Sequence, residues 1–240
     1  MEKNPKNKRK KDPLFHNFCY DFVRVTGALP ILVWLRPKVY RPYNTKKPKG
    51  RMLMSANHQS FMDPVSVHLA FPFRRMNCLA TKDLFGTKMK RAFFSRMLCI
   101  EVDKENFALS SFHDVVSRLQ EEKIVVIFPE GSVERHKDGP VRAFKSGAVL
   151  MAYRADTPIL PIYIVKRQKW YHRLRIVVGE PFDVRGAVGR IPTMEELDAA
   201  SETLRLKEME LHDYFQSLPI YQKLNRNQPT ENSEGGVTNE

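Results

Sequence analysis

At 240 residues and 28.0 kDa, the chain suits one large domain or one domain with appendages, and two full domains would be cramped. Its 42% hydrophobic and 28% charged residues lie near ordinary globular usage, which excludes a disordered polymer or a polytopic membrane protein. The 40 Lys plus Arg against 27 Asp plus Glu leave a formal charge of +13 and a pI near 9.7. Such a field favours an anionic partner: nucleic acid, a phospholipid surface or a phosphorylated substrate.

Residues 1–13 read as a flexible basic arm, because the first twelve carry six Lys or Arg against Glu2 and Asp12 and show no apolar periodicity. No secretory signal is visible, since the first dozen residues are polar and no small-residue cleavage pattern follows. Cys19, Cys78 and Cys99 are odd in number and scattered, which suits a reducing compartment better than a disulfide framework. A cytoplasmic protein is expected.

The next stretch, 14–50, reads as an amphipathic membrane-associating segment. Phe15, Phe18, Phe22 and Val25 recur at helical spacing. Its longest uncharged run, Val25 to Leu35, is broken by Gly27 and Pro30 and falls well short of the roughly 20 residues a spanning helix needs. Apolar groups flanked by Arg36, Lys38, Arg41, Lys46, Lys47 and Lys49 suit an interfacial anchor on an anionic membrane surface. A helix packed on the domain core is the other reading of the same pattern.

From residue 51 onward short apolar runs alternate with helical ones. Residues 52–56, 76–81, 124–128, 159–165 and 174–179 read as strands, several of them apolar on both faces, as in a sheet covered on both sides. Phe112, Val115, Val116 and Leu119 mark one helix, and Phe144, Ala148 and Met151 another. Thr193 with Glu196 forms a capping box that opens a long helix toward Ser217. The fold class is therefore α/β: a mixed, largely parallel central sheet flanked by helices, preceded by an N-terminal amphipathic helical segment. Asn225 onward has almost no apolar content and reads as a disordered tail, 225–240.

The sharpest local feature is SANHQSFMDP (55–64), directly after the first of these strands, and strand ends are where α/β folds commonly place ligands. If His58 sits in the turn and Asp63 at the following helix start, Nδ1 can meet the carboxylate, which fixes the tautomer and leaves Nε2 to take a proton from a hydroxyl. Taken alone the spacing is weak. The second feature is IVVIFPEGSVERH (124–136), a buried strand running into Pro129, Glu130, Gly131 and Ser132, where glycine permits close backbone approach. A plain Pro-Gly turn is its structural alternative.

Together the two segments resemble the glycerolipid acyltransferase superfamily, the group of glycerol-3-phosphate and lysophosphatidic acid acyltransferases. NHQSFMD looks like its NHxSxxD signature and FPEGS like its FPEG[ST] block. CIEVDKEN (99–106) and ILPIYI (159–164) resemble its intermediate and downstream blocks in the right order, FKSGA (144–148) and VVGEPF (177–182) are also similar, and the likeness covers 51–183. It sets an acyltransferase domain at 51–224. What the resemblance implies is transfer of a fatty acyl group from acyl-CoA or acyl carrier protein to the free hydroxyl of 1-acylglycerol 3-phosphate, forming phosphatidic acid, with no acyl-enzyme and no cofactor beyond the donor substrate. His58 would be the general base, Asp63 would orient it, and Glu130, Gly131 and Ser132 would shape the glycerophosphate pocket. Lys82, Lys104 and Lys145 are the candidates to hold the phosphate. The chain departs from the pattern at Lys104, where the family has Arg, so a point charge replaces a bidentate fork, and at Val133 and Glu134, which intervene before Arg135.

Acylation of glycerol 3-phosphate or another lysolipid, or a non-catalytic lipid-binding protein of the same fold, are the alternatives. Nucleic-acid binding is not expected, for there is no helix-turn-helix, zinc spacing or aromatic platform. No G-x-S-x-G elbow marks a serine hydrolase, and the remaining histidines, His16, His68, His113, His136, His172 and His212, lack metal-ligand spacing. The expected location is peripheral, on the cytoplasmic face of the membrane.

Overall fold

The computed structural model describes residues 14–44, 50–102, 109–131, 140–167 and 172–225. The basic arm 1–13, Lys46, Lys47, Lys49, Lys104, Ser132, Arg135 and the tail beyond 225 lie outside the described residues. Helix α1 (Leu14–Leu35) leads to β1 (Lys38–Tyr40), then β2 (Met52–Ala56), α2 (Asp63–Ala70), β3 (Met76–Thr81) and a 3₁₀ turn (Lys82–Phe85). Next come α3 (Lys88–Arg96), β4 (Ile100–Val102), α4 (Leu109–Gln120), β5 (Ile124–Ile127) and α5 (Gly147–Ala155). The chain closes with β6 (Ile159–Ile164), β7 (Arg175–Val178), α6 (Met194–Ser217) and α7 (Pro219–Asn225).

The seven strands form one sheet in the order β1-β7-β6-β2-β5-β3-β4. Pairing is parallel except between β6 and β7, so the mixed, largely parallel sheet expected from sequence is what forms. MLMSA, IVVI and ILPIYI are buried at every position, which is why they sit in the middle. A fully buried Leu, Ile or Met side chain contributes roughly 1.5 to 3 kcal/mol relative to exposure. Pro161 would be out of place in a central ladder, but it falls where the β6–β7 pairing is interrupted, between the Ile159–Phe182 bridge and the ladder from Ile162–Val178. Gly179 fits against it: a Cβ there would lie 2.9 Å from Pro161 Cγ.

Alternation along the strands separates two faces. Met52, Met54, Ala56, Leu160, Ile162, Ile164, Ile176 and Val178 pack under α1 and α2. Leu53, Val125, Ile127 and Ile159 pack under α4, α5 and α6, and Tyr163 and Val177 under α6 and α7. The α6 capping box is present, with Glu196 N donating to Thr193 Oγ1 at 3.2 Å and Thr193 N to Glu196 Oε2 at 2.9 Å.

Passing from β2 through α2 to β3 moves the chain toward one edge of the sheet. Passing from β5 through α5 to β6 carries it back across β2 to the other side, on the opposite face. The reversal falls at the carboxyl ends of β5, β2 and β6, the usual ligand position in such sheets.

Helix α1 is docked and exposed at once. Met76 N donates to Tyr20 Oη at 3.2 Å, Arg75 Nη2 pairs with Asp21 Oδ2 at 2.5 Å, and Leu35 is fully buried. Phe18, Phe22, Val25, Leu29 and Val33 lie on the other side, each more than half exposed. No single helix among the described residues is long and apolar enough to cross a membrane, although Phe18–Gly27 and Leu29–Leu35 pass that test as a pair bent by about 40°. Lys38–Tyr40, inside the stretch read as a membrane-associating segment, is one edge strand of the sheet.

Candidate active site

At the exit of β2 the chain is fastened to the exit of β6. Asn57, wholly buried, donates from Nδ2 to Ile164 O at 3.1 Å and accepts at Oδ1 from Ile164 N at 2.7 Å. His58 follows immediately, its ring stacked on Phe128 from the exit of β5 with centroids 4.2 Å apart. Its main-chain N–H donates to Glu130 Oε1 at 3.4 Å.

Residues 59–62 turn back on themselves, with Asp63 N donating to Ser60 O at 3.0 Å and Met62 N to Ser60 Oγ at 3.2 Å. That turn lets groups five residues apart meet: His58 Nδ1 lies 3.0 Å from Asp63 Oδ2. The same oxygen accepts from Gln59 N at 2.6 Å and Ser60 N at 2.7 Å. Asp63 stands in the first turn of α2 with Pro64 beside it, where a carboxylate is favoured by the helix dipole and proline loses no hydrogen bond. Three groups on one buried oxygen fix the orientation of the carboxylate. Nδ1 is thereby committed as a donor and Nε2 is the nitrogen left for a substrate, the arrangement a general base requires.

Glu130 is buried beside this pair. Gly131 has φ +78°, and a Cβ there would come within 3.3 Å of Lys145 Cε, so glycine lets that lysine cross the turn. Lys145 N in turn donates to Pro129 O at 3.2 Å. Lys82 is exposed at the same rim, after β3 and two strands from β2. The structure thus brings together His58, Asp63, Glu130, Gly131 and Lys145, while Lys82 stands farther along the rim.

Several residues of the site were given no role from the sequence. Beneath it, Ser55 Oγ donates at 2.6 Å to Oε1 of Glu208, a wholly buried residue of α6. Burial pushes the Glu208 carboxyl well above the usual range; the Ser55 bond opposes this and the negative field of Glu130 adds to it. Tyr163 is likewise raised by burial, against a hydrogen bond with the Gln59 side chain. One signal for Glu208 was available, since Leu204, Glu208, Leu211 and Phe215 recur on the buried side of α6.

A sequence model of the family described as Acyltransferase matches residues 36–165, more than half of the chain. The chain belongs to that acyltransferase family. It is 26% identical over 156 residues to a 1-acyl-sn-glycerol-3-phosphate acyltransferase of Borreliella burgdorferi, covering 62% of this chain and 60% of the other. With the human 1-acyl-sn-glycerol-3-phosphate acyltransferase beta it shares 26% identity over 140 residues, 58% of this chain and 49% of that one. The chain spans about half the length of the curated relatives it matches. Its fold is similar to the crystal structure of the 1-acyl-sn-glycerophosphate acyltransferase PlsC from Thermotoga maritima, with a TM-score of 0.59, 20% identity, and coverage of 85% and 82% of the two chains.

Proposed function

We propose that the protein transfers a fatty acyl group from a thioester donor, acyl-CoA or acyl carrier protein, to the free hydroxyl of 1-acylglycerol 3-phosphate, giving phosphatidic acid for phospholipid synthesis. The observation that carries this reading is the His58 Nδ1 to Asp63 Oδ2 contact of 3.0 Å at the carboxyl end of β2. His58 Nε2 removes the acceptor hydroxyl proton as the oxygen attacks the thioester carbonyl. The tetrahedral intermediate collapses with loss of the thiolate, which takes the proton back from Nε2, so no bond to the enzyme forms and no cofactor is consumed. Asp63 stabilises the imidazolium between the two proton transfers. Lys145, beside Gly131 and Glu130, and Lys82 on the same rim are suited to the acceptor phosphate, with Lys104 and Ser132 as further candidates from the sequence. The test is to incubate the purified protein with acyl-CoA or acyl carrier protein and a panel of lysolipids and glycerol 3-phosphate, and to follow products by mass spectrometry. Phosphatidic acid as the main product is expected; acylation of another acceptor in preference would overturn the assignment.

The exposed α1 stripe supports a peripheral position on an anionic membrane, on the cytoplasmic face. Helix α3, packed near α1, adds exposed Met89 and Phe93 beside Lys88 and Lys90. Apolar groups at the acyl boundary with lysines at the headgroups are the composition an interfacial surface requires.

A further inference from the structure

On the sheet face opposite α1 a second cationic concavity opens at the same rim as His58. The chain leaves β6 through Val165, Lys166 and Arg167 and returns to β7 through His172, Arg173 and Arg175. Phe215 of α6 with Tyr221 and Leu224 of α7 closes the other wall. Among the described residues no carboxylate lines this pocket. Arg175 alternates with Ile176 and shares its side of β7 with Val177, which packs under α6 and α7, so its guanidinium faces these helices. Its Nη1 donates to Arg173 O at 3.2 Å, and its Nε is buried with no acceptor among the described residues. A buried guanidinium N–H without an acceptor is costly unless an anion completes it. The helical wall is aromatic, with Phe215 and Tyr221 edge to face at 6.0 Å.

The pocket wall adjoins the segment that carries His58. Asn57 joins β2 to Ile164, one residue before the pocket wall begins. The Gln59 side chain reaches Tyr163, whose ring meets His212 at 5.2 Å, and His212 contacts Gln216 on α6. The exposed apolar stripe of α1 lies on the other face. A lipid acceptor held at that face and a water-soluble donor arriving from α6 and α7 would therefore reach His58 from two sides.

We propose that this pocket binds the nucleotide end of the acyl donor, the phosphates of a coenzyme A carrier against Lys166, Arg173 and Arg175 and its adenine against the half-buried ring of Tyr221, which Phe215 backs from the core. The proposal rests on the acyl-transfer reading for the donor's role, but not for binding itself. Guanidinium forks match phosphate oxygens in pairs, and an aromatic wall supplies a surface for a base that a lipid phosphate lacks.

Adenosine 3′,5′-bisphosphate, which carries the nucleotide without thioester or pantetheine, is the probe. Calorimetry on the full chain should show it binding, and the paired variant Lys166→Glu, Arg173→Glu, both at exposed positions, should weaken it at least tenfold. Arg175→Gln should act in the same direction. In steady-state assays the paired variant should raise the acyl-CoA KM by a similar factor and leave the acceptor KM unchanged. Wild type failing to bind the probe, the variant binding it as well as wild type, or an increase confined to the acceptor KM would each overturn the pocket assignment. Nucleotide binding lost in the variant, by a wild type that transfers no acyl group, would support the pocket and sink the acyl-transfer reading instead.

Discussion

At the scale of single residues, one oxygen organises the site. Asp63 Oδ2 holds His58 Nδ1 and two main-chain amides, so its substitutions should separate chemistry from folding. His58→Ala should lower turnover by about 10²- to 10⁴-fold with the melting temperature little changed, and a folded variant retaining more than a tenth of the activity would show the base to be elsewhere. Asp63→Asn keeps an acceptor for the amides but loses the charge that stabilises the imidazolium, so turnover should fall more than stability. Asp63→Ala also removes charge-assisted bonds worth about 1.5 to 3 kcal/mol each and should lower the urea midpoint as well.

Glu208 predicts a pH dependence of a different kind. A carboxyl whose folded value lies above its unfolded one binds its proton more tightly in the fold, so its contribution falls as pH rises from the ordinary 4.5 toward the raised value. Glu208→Gln, which keeps an oxygen for Ser55 and cannot ionise, should therefore gain stability relative to wild type as urea midpoints are taken from pH 4.5 to pH 8. Parallel curves would show Glu208 to be ionised in the fold. His58 and Asp63 were legible because their chemistry is local to one turn. Ser55 with Glu208 was not, because a hydrogen bond spanning 153 positions leaves no mark on either segment beyond a polar residue in an apolar row.

At the scale of elements, what sequence pattern could show depended on length and burial. The central strands and α6 declared themselves through unbroken apolar runs and a capping box. Strands β1 and β4 are three residues each, too short for any period, and α3 buries none of its residues, so packing wrote no stripe into it. Helix α1 showed its periodicity, yet periodicity alone could not say which side met the core. The structure answers with Tyr20, Ile31, Leu32 and Leu35 inward and the Phe18 to Val33 stripe outward. Because β1 belongs to the sheet, deleting everything before Arg51 would damage the fold, and point changes are the sound test. Phe22→Ser, Val25→Ser and Leu29→Ser together should cut flotation with liposomes several-fold while circular dichroism and melting stay near wild type. Unchanged flotation would remove α1 from the membrane contact.

At the scale of the whole molecule, the charge of +13 and the apolar stripe act through different physics and can be separated by salt. Each basic residue near an anionic surface contributes on the order of 1 kcal/mol, and the attraction decays over a Debye length of about 10 Å at 0.1 M salt and about 3 Å at 1 M. Burial of the α1 stripe is insensitive to that screening, since it depends on apolar area removed from water. Raising NaCl from about 0.1 to 0.5 M should therefore weaken wild-type binding to anionic vesicles without abolishing it, whereas the triple-serine variant, with much of its apolar contact removed, should lose a larger share of its binding. Neutral phosphatidylcholine vesicles should bind wild type weakly and with little dependence on salt. Wild-type binding to anionic vesicles that ignored salt would show that the net charge serves the substrates at the rim and not the membrane.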